Sequence, residues 1–232
     1  MLQVRKAQER GFADHGWLNS YHTFSFADYY DPDETNFSVL RVINEDTVKP
    51  GMGFGTHAHR DMEIVTYVLE GELEHKDSMG TGSIIKPGDV QRMSAGSGVT
   101  HSEFNASRIK PVHFLQIWIM PKFKGIRPSY EQKFFSEEEK RNTLRLIGAP
   151  DGRDGSIGIN QDTFIYATVL DGNGRVTHAM AGNRKAYIHV AKGTLQVNGL
   201  SLVAGDGLKI SNEKEIELIA AEGGEALIFD LP

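Results

Sequence analysis

Two pairs of residues able to bind a metal or move a proton are each spaced one residue apart. His57 and His59 occur in the stretch THAHR, and His101 and Glu103 occur in GVTHSEFN. On an α-helix, positions i and i+2 lie about 200° apart around the axis and cannot converge on one point. On a β-strand they point to the same face, roughly 7 Å apart along the backbone. The two pairs can therefore act together if both stretches are strands and the strands are neighbours.

Three imidazoles and one carboxylate form a donor set that suits a divalent metal of intermediate softness. In an octahedral geometry such a set leaves two positions open for a substrate. Structural zinc sites are instead usually closed tetrahedra rich in cysteine, and this chain contains no cysteine. The pattern favours an open metal centre over a structural one.

Short strand-like segments separated by glycine- and proline-containing turns fill both halves of the sequence. This pattern predicts an all-β fold of the sandwich or barrel type. Two of the segments, MEIVTYVL and FLQIWIM, are apolar on both faces, as expected for strands covered on both sides. In the first half the predicted strands span 37–43, 62–69, 72–75, 82–86, 89–93 and 112–120, and in the second half 163–170, 185–191, 194–199, 207–211, 215–221 and 225–232.

Residues 121–160 are more polar and are predicted to connect two domains. Within them, SEEEKRN predicts a short helix with Ser136 as N-cap and Glu139 as its reciprocal capping partner. The second half also resembles the first, since THAHR aligns with THAMA at 177–181. We therefore expect two similar domains in tandem, residues 1–135 and residues 136–232, with a few short helices.

Composition excludes several functional classes. The chain has 232 residues, a net charge of −6 and no basic cluster, so nucleic-acid binding is not expected. No signal peptide is visible, and FLQIWIM is too short to span a bilayer. The absence of cysteine fits a reducing cytoplasm. A cytoplasmic protein without membrane contact is the expectation.

The stretches GMGFGTHAHRDME and GVTHSEFN resemble the first and second sequence motifs of cupins. Two positions depart from those motifs, because Gly71 falls one residue late and Gly96 replaces the usual proline. Together with GWLNSYHTFSFADYYDP and MSAGSGVTHSE, the sequence resembles the pirin family of two-cupin proteins, strongly over residues 3–120. The resemblance implies two tandem jelly-roll β-domains, of which only the N-terminal one binds metal.

The same resemblance implies the ligands and an activity. In pirins three histidines and a glutamate hold iron, and the matching residues here are His57, His59, His101 and Glu103. The implied cofactor is one Fe(II) ion, although nitrogen and oxygen ligands also accept Mn, Co, Ni, Cu or Zn. The implied reaction is that of a quercetin 2,3-dioxygenase, which opens a flavonol with O2 and releases carbon monoxide. Glu103 would also serve as the general base on the flavonol 3-hydroxyl.

Other functions remain open from the sequence. Some pirins bind protein partners, so a non-enzymatic, iron-dependent redox-sensing role is the main alternative. A third alternative is another cupin enzyme, such as an isomerase acting on a different enolisable small molecule. The native metal and the physiological substrate are not fixed by the residues.

The remaining candidate residues are given roles other than metal binding. Glu63 occupies the position of the ligand glutamate in many cupins, but the pirin pattern assigns that role to Glu103. His178 is interpreted as the remnant of a ligand, because Met180 stands where the first half has His59. The aromatic run FSFADYY is interpreted first as packing and second as the wall of a pocket for a flat substrate. His22 is assigned equally to the pocket or to packing, whereas three further histidines are interpreted as structural: His75, His113 and His189.

Overall fold

The computed structural model describes residues 1–232 and confirms the all-β prediction. Helical structure is limited to α1 (Glu137–Lys140) and the 3₁₀ turns Ala7–Glu9 and Arg153–Gly155, and none of these could cross a membrane. The strands are β1 (Leu2–Arg5), β2 (Gly11–Asp14), β3 (Leu18–His22), β4 (Leu40–Val48), β5 (Gly53–His59), β6 (Glu63–Glu70), β7 (Leu73–Asp77), β8 (Gly82–Ile85), β9 (Asp89–Ser94), β10 (Val99–Asn105), β11 (Val112–Ile119), β12 (Ser129–Phe134), β13 (Arg145–Ala149), β14 (Ile157–Gly158), β15 (Phe164–Asp171), β16 (Arg175–Ala179), β17 (Lys185–Val197), β18 (Leu200–Val203), β19 (Gly207–Ser211) and β20 (Glu215–Leu231).

The chain divides into two compact units. The N-terminal unit comprises Gly11–Phe134 and Ile157–Gln161, and the C-terminal unit comprises Met1–Arg10, Phe135–Ser156 and Asp162–Pro232. This division differs from the predicted boundary after residue 135 in two segments. Met1–Arg10 belongs to the C-terminal unit because β1 pairs antiparallel with β19. Ile157–Gln161 belongs to the N-terminal unit, where its backbone N–H groups donate to carboxylates of that unit.

The N-terminal unit contains two antiparallel sheets. Seven strands follow the order β12-β9-β6-β11-β4-β3-β2, and four follow the order β5-β10-β7-β8. The two predicted double-sided strands, β6 and β11, lie in the middle of the larger sheet and are buried along almost their whole length. One apolar cluster draws side chains from both sheets, so the sheets pack face to face: Leu18, Val48, Val68, Leu73, Ile85, Val112 and Phe114.

The C-terminal unit has its own apolar core around two long strands. β17 and β20 pair with each other over most of their length, and β1, β13, β15, β16, β18 and β19 extend the sheet on either side. The predicted strands 185–191 and 194–199 are in fact one continuous strand, β17. Likewise, 215–221 and 225–232 merge into β20. The pairing of β17 with β20 shifts register after Val190 and after Thr194, which lets these long strands stay paired through local irregularities.

The stretch 121–160 is more structured than a connector. β12 pairs with β9 at the edge of the larger sheet of the N-terminal unit, and β13 pairs with β15 in the C-terminal unit. The predicted helix and its capping box are confirmed. The backbone N–H of Glu139 donates to Ser136 Oγ at 3.2 Å, and the backbone N–H of Ser136 donates to Glu139 Oε2 at 2.8 Å.

Candidate metal centre

The two pairs of candidate ligands lie on neighbouring antiparallel strands, as the sequence predicted. β5 carries His57 and His59, β10 carries His101 and Glu103, and His101 stands directly opposite His57. His57 and His59 occupy a strand of their own, since β6 begins only at Glu63. The alternation of β10 buries His101 and Glu103 on one face, with Asn105 following in the same phase.

The three histidines converge. Their ring centroids lie 4.5 to 4.9 Å apart, and the Nε2 atoms of His57 and His101 are separated by 3.0 Å. Two ligand nitrogens bound at right angles with metal–nitrogen bonds of about 2.1 Å would themselves lie about 3 Å apart. The spacing of His57, His59 and His101 therefore fits a single metal ion.

The protonation of these histidines also suits metal binding. Burial, followed by the charges of His57, His59 and His75, lowers the pKa of His101 to about 2. Burial and the neighbouring His57 lower the pKa of His59 to about 4. Both rings are therefore neutral at pH 7, and a neutral imidazole has a lone pair to offer.

Glu103 lies beside the histidines but is held by a second set of groups. Its ligand atoms lie within 4.8 Å of those of His101 and His75. Gln116 Nε2 donates to Glu103 Oε2 at 2.8 Å, and the Thr66 hydroxyl lies 3.5 Å from Oε1. Burial raises the pKa of this carboxyl to about 7, and the charge of Asp46 acts in the same direction. A bound dication would favour the ionised form.

A register shift between His101 and Glu103 accompanies this arrangement. On β5, Phe54 and Gly53 lie opposite Glu103 and Phe104, so one residue of β5 is skipped. Gly53 allows the close approach, because a Cβ atom there would lie 2.2 Å from the carbonyl oxygen of Glu103. A side chain at position 53 would therefore displace the strand that carries the carboxylate.

The candidate ligands border a cavity of about 610 Å³, within the range of roughly 300–1,000 Å³ typical of small-molecule sites. All four predicted ligands line it. Six of the sixteen other lining residues are aromatic: Phe12, Trp17, Phe26, Tyr29, Phe54 and Trp118. Phe26 and Tyr29 line the cavity, so part of the run FSFADYY forms a pocket wall. Phe24 is buried, as the interpretation of this run as packing predicted.

One side of the cavity is polar. Ser20, His22, Asn44 and Asp46, from β3 and β4, all line it. His22 Nδ1 and Asn44 Oδ1 are 2.9 Å apart, and the Ser20 hydroxyl donates to Asp46 Oδ1. Burial raises the pKa of Asp46 to about 7. These groups offer hydrogen-bonding partners to a ligand next to aromatic residues, since the His22 ring packs against Phe26 at 5.3 Å.

The other candidate residues lie outside the cavity lining. Glu63 Oε2 accepts from the Ser94 hydroxyl at 2.9 Å and from the backbone N–H of Asn160 at 3.1 Å, which gives it a structural role. His113 lies 2.9 Å from Glu45. His75 is completely buried and lies next to both His101 and Asp77, which is closer to the site than the sequence indicated.

In the C-terminal unit, the THAMA stretch has different surroundings. His178 Nε2 lies 2.8 Å from Asp230 Oδ2, and Arg184 contacts the other carboxylate oxygen. Met180 is buried in the apolar core. The lack of a metal in this unit stays a prediction.

Sequence reasoning missed several polar residues of the cavity, namely Ser20, Asn44, Asp46 and Gln116. A signal was present in β11, where Gln116 interrupts an apolar run, and in β4, where Asn44 and Asp46 are buried polar residues. A buried polar side chain in such a strand needs a partner or faces a site.

Comparison with known proteins agrees with this geometry. Residues 3–119 match the sequence family described as Pirin, and residues 146–231 match the quercetinase C-terminal cupin domain. A relative from Escherichia coli K12, named quercetin 2,3-dioxygenase, is 49% identical over 232 residues, covering 100% of this chain and 99% of the relative.

Solved structures give the same picture. The crystal structure of YhhW from Escherichia coli superposes with a TM-score of 0.96 at 49% identity, covering 100% of this chain and 98% of that one. A crystal structure of the bacterial pirin YhhW in complex with nickel(II) also has a TM-score of 0.96, at 48% identity, covering 100% and 99% of the two chains. GK1651 from Geobacillus kaustophilus, with 23% identity, 99% and 95% coverage and a TM-score of 0.80, shares the fold.

Proposed function

This chain belongs to the pirin family of two-cupin proteins, and on that premise we propose that it is a metal-dependent dioxygenase. Its substrate is a flavonol such as quercetin. The enzyme opens the flavonol ring with O2 and releases carbon monoxide. The ligands are His57, His59, His101 and Glu103, and the metal is Fe(II). The nickel(II) complex of a close relative supports a divalent ion at such a site.

One observation carries the proposal: three imidazoles converge at the wall of a cavity lined by aromatic and polar residues. A purely structural metal would be enclosed by its ligands, whereas His57 and His59 are partly exposed to the cavity. The aromatic side suits the flat rings of a flavonol, and the polar side suits its hydroxyl groups.

When bound, the metal supplies a Lewis acid that favours the deprotonated form of a hydroxyl and brings substrate and O2 together. The four ligands would hold it, and with one carboxylate among them a dication keeps a net charge near +1. That charge attracts an anionic substrate oxygen.

We assign to Glu103 the proton of the flavonol 3-hydroxyl. In the metal-free site, burial raises the pKa of this carboxyl to about 7, so its surroundings favour uptake of a proton, as a general base requires. Gln116 holds Oε2, so Oε1, with the longer contact to Thr66, is the oxygen left to accept a proton.

Trp118 and the polar wall would orient the substrate. The Trp118 ring packs against both His59 and Phe26, with centroid distances of 5.0 and 5.3 Å. Its Nε1–H is buried and has no hydrogen-bond partner within the protein. A substrate oxygen or an ordered water would satisfy that donor.

Anaerobic binding of quercetin tests the proposal without turnover. Protein loaded with Fe(II) should shift the long-wavelength absorption of quercetin to the red, because the bound flavonol loses its 3-hydroxyl proton. The His59→Ala variant, loaded under the same conditions, should give a much smaller shift. An unchanged quercetin spectrum with protein shown to hold one iron would contradict the proposal and favour a redox-sensing role with a protein partner. The cytoplasmic location expected from the sequence stays a prediction.

A further inference from the structure

Behind the candidate metal centre, His101 has a second histidine neighbour. The Nε2 atom of His101 lies 3.0 Å from His57 Nε2, whereas its Nδ1 atom lies 3.5 Å from Nδ1 of His75. His75 stands on β7, which pairs with β10 on the side opposite β5. Both rings are buried, with 0% and 3% of their surface exposed, so water does not compete for these nitrogens.

His75 is in turn bound to a carboxylate. Its Nε2 atom lies 3.1 Å from Asp77 Oδ2, and the side chains of both residues are completely buried. The other carboxylate oxygen, Asp77 Oδ1, accepts the backbone N–H groups of Met79 at 2.8 Å and Thr81 at 3.0 Å. Because N–H groups only donate, Oδ1 is fixed as an acceptor, and Oδ2 is left to face His75.

These contacts decide where the ring hydrogens are. A carboxylate only accepts, so His75 Nε2 carries the hydrogen and Nδ1 of the neutral ring has the lone pair. The facing His101 Nδ1 must then carry its hydrogen in order to donate. His101 Nε2 is left with a lone pair directed towards His57 and the metal position.

We propose that Asp77 and His75 are positioning residues that fix the tautomer of His101 needed for metal binding. The proposal rests on the metal centre of the proposed function, but it does not depend on the substrate or the reaction. Neither residue lines the cavity, so both act through His101.

The substitution Asp77→Asn tests this inference directly. The two backbone N–H donors keep the amide oxygen at the Oδ1 position, so the amide NH2 replaces Oδ2 opposite His75. An amide NH2 donates, which forces the hydrogen of His75 onto Nδ1 and that of His101 onto Nε2, the nitrogen that should bind the metal. Replacing a carboxylate by an amide in this way inverts a histidine tautomer without removing a side chain.

The first readout needs no metal. Long-range proton–nitrogen NMR correlations of the metal-free protein should show His101 with its hydrogen on Nδ1 in the parent and on Nε2 in Asp77→Asn. The second readout is calorimetric titration with Ni(II) alone, in which Asp77→Asn should bind about 10- to 100-fold more weakly. An unchanged tautomer, or an unchanged Ni(II) affinity, would overturn the proposal.

Two controls distinguish the effect of the Asp77–His75–His101 contacts, here called the relay, from a general loss of structure. Glu45→Gln makes the same chemical change at the His113–Glu45 pair, which lies 2.9 Å apart and contacts no candidate ligand, and should leave Ni(II) affinity unchanged. In a His75→Phe background, Asp77→Asn should cause no further loss. A further loss of affinity in that background would show that Asp77 acts through its hydrogen bonds to the backbone of Met79 and Thr81 and not through His75, against the proposal.

His75→Phe by itself covers the case in which Asp77→Asn does not fold. It leaves the Asp77 turn intact, and it should weaken Ni(II) binding and leave His101 as a mixture of tautomers. A single Nδ1–H tautomer in His75→Phe would refute the relay. If the parent protein shows the expected tautomer but binds no Ni(II), the metal centre fails while the assignment of hydrogens stands.

Discussion

His57 on β5 and His101 on β10 are direct cross-strand partners, and their Nε2 atoms lie 3.0 Å apart. Adjacent antiparallel strands place such side chains on the same face at short distance. Two imidazole nitrogens at this separation either share a hydrogen or bind the same cation. The positions of the other two candidate ligands follow from this pair, because His59 and Glu103 are each two residues away along the same strands.

The choice between Glu103 and Glu63 as the carboxylate ligand can be tested by matched substitutions. Both carboxyls are buried, and burial raises the pKa of each, but only Glu103 lines the cavity. We expect Glu103→Gln to weaken divalent-metal binding by roughly 10-fold or more, since loss of an outer-shell partner alone costs that much. Glu63→Gln should leave the affinity unchanged. Equal losses in the two variants would contradict the ligand assignment.

Trp118→Phe should impair substrate binding more than metal binding. The change keeps an aromatic wall against His59 but removes the buried, unpartnered Nε1–H. A hydrogen bond of about 0.5–1.5 kcal/mol corresponds to an increase of roughly 2- to 10-fold in KM for the flavonol. Trp17→Phe, at another part of the cavity wall, serves as the control and should change KM less. Loss of metal in Trp118→Phe would show that the ring supports His59 rather than the substrate.

Asp46 should make the stability of the metal-free protein fall as pH rises. Burial raises its pKa from 3.8 to about 7 in the folded state. Between about pH 4 and pH 7 the unfolded chain has released this proton while the folded protein keeps it. Each unit of increase in pH over this range therefore lowers the free energy of unfolding. At about 1.4 kcal/mol per pKa unit, the full effect of this shift is on the order of 4 kcal/mol.

Asp46→Asn should flatten that decline, because the amide oxygen still accepts the Ser20 hydroxyl but the side chain cannot ionise. Urea unfolding from pH 4.5 to 8 measures the difference. Stability curves of the parent and the variant that stay parallel across this range would show that Asp46 ionises without cost in the folded protein.

The fold was more predictable than the composition of the cavity. His57, His59, His101 and Glu103 could be found because each pair is local in sequence and strand periodicity fixes its face. Asp46 and Gln116 stand out in sequence only as polar residues in buried strands, because the contact of the larger sheet with Glu103 on β10 has no local pattern. The pairing of β1 with β19 was missed for a similar reason, since four residues offer little local pattern and their partners lie about 200 residues away.

Removal of the metal should leave the protein folded. The apolar clusters of both units are built from side chains other than the four ligands. We expect chelation to preserve the far-ultraviolet circular dichroism. The free energy of unfolding should fall only by the contribution of metal binding, about 2.7 kcal/mol when the metal is present at 100 times its Kd, and the melting temperature should fall accordingly. Unfolding on chelation would make the metal a structural element and would weaken the enzyme assignment.

The most direct test of flavonol dioxygenase activity is oxygen consumption by protein loaded anaerobically with Fe(II) and then mixed with quercetin in air. We expect uptake of one O2 and release of one carbon monoxide per quercetin consumed, with both lost in the His59→Ala and Glu103→Ala variants. Quercetin that stays intact in the presence of protein shown to hold one iron would contradict it. Conversion of a substrate without O2 would instead support an isomerase.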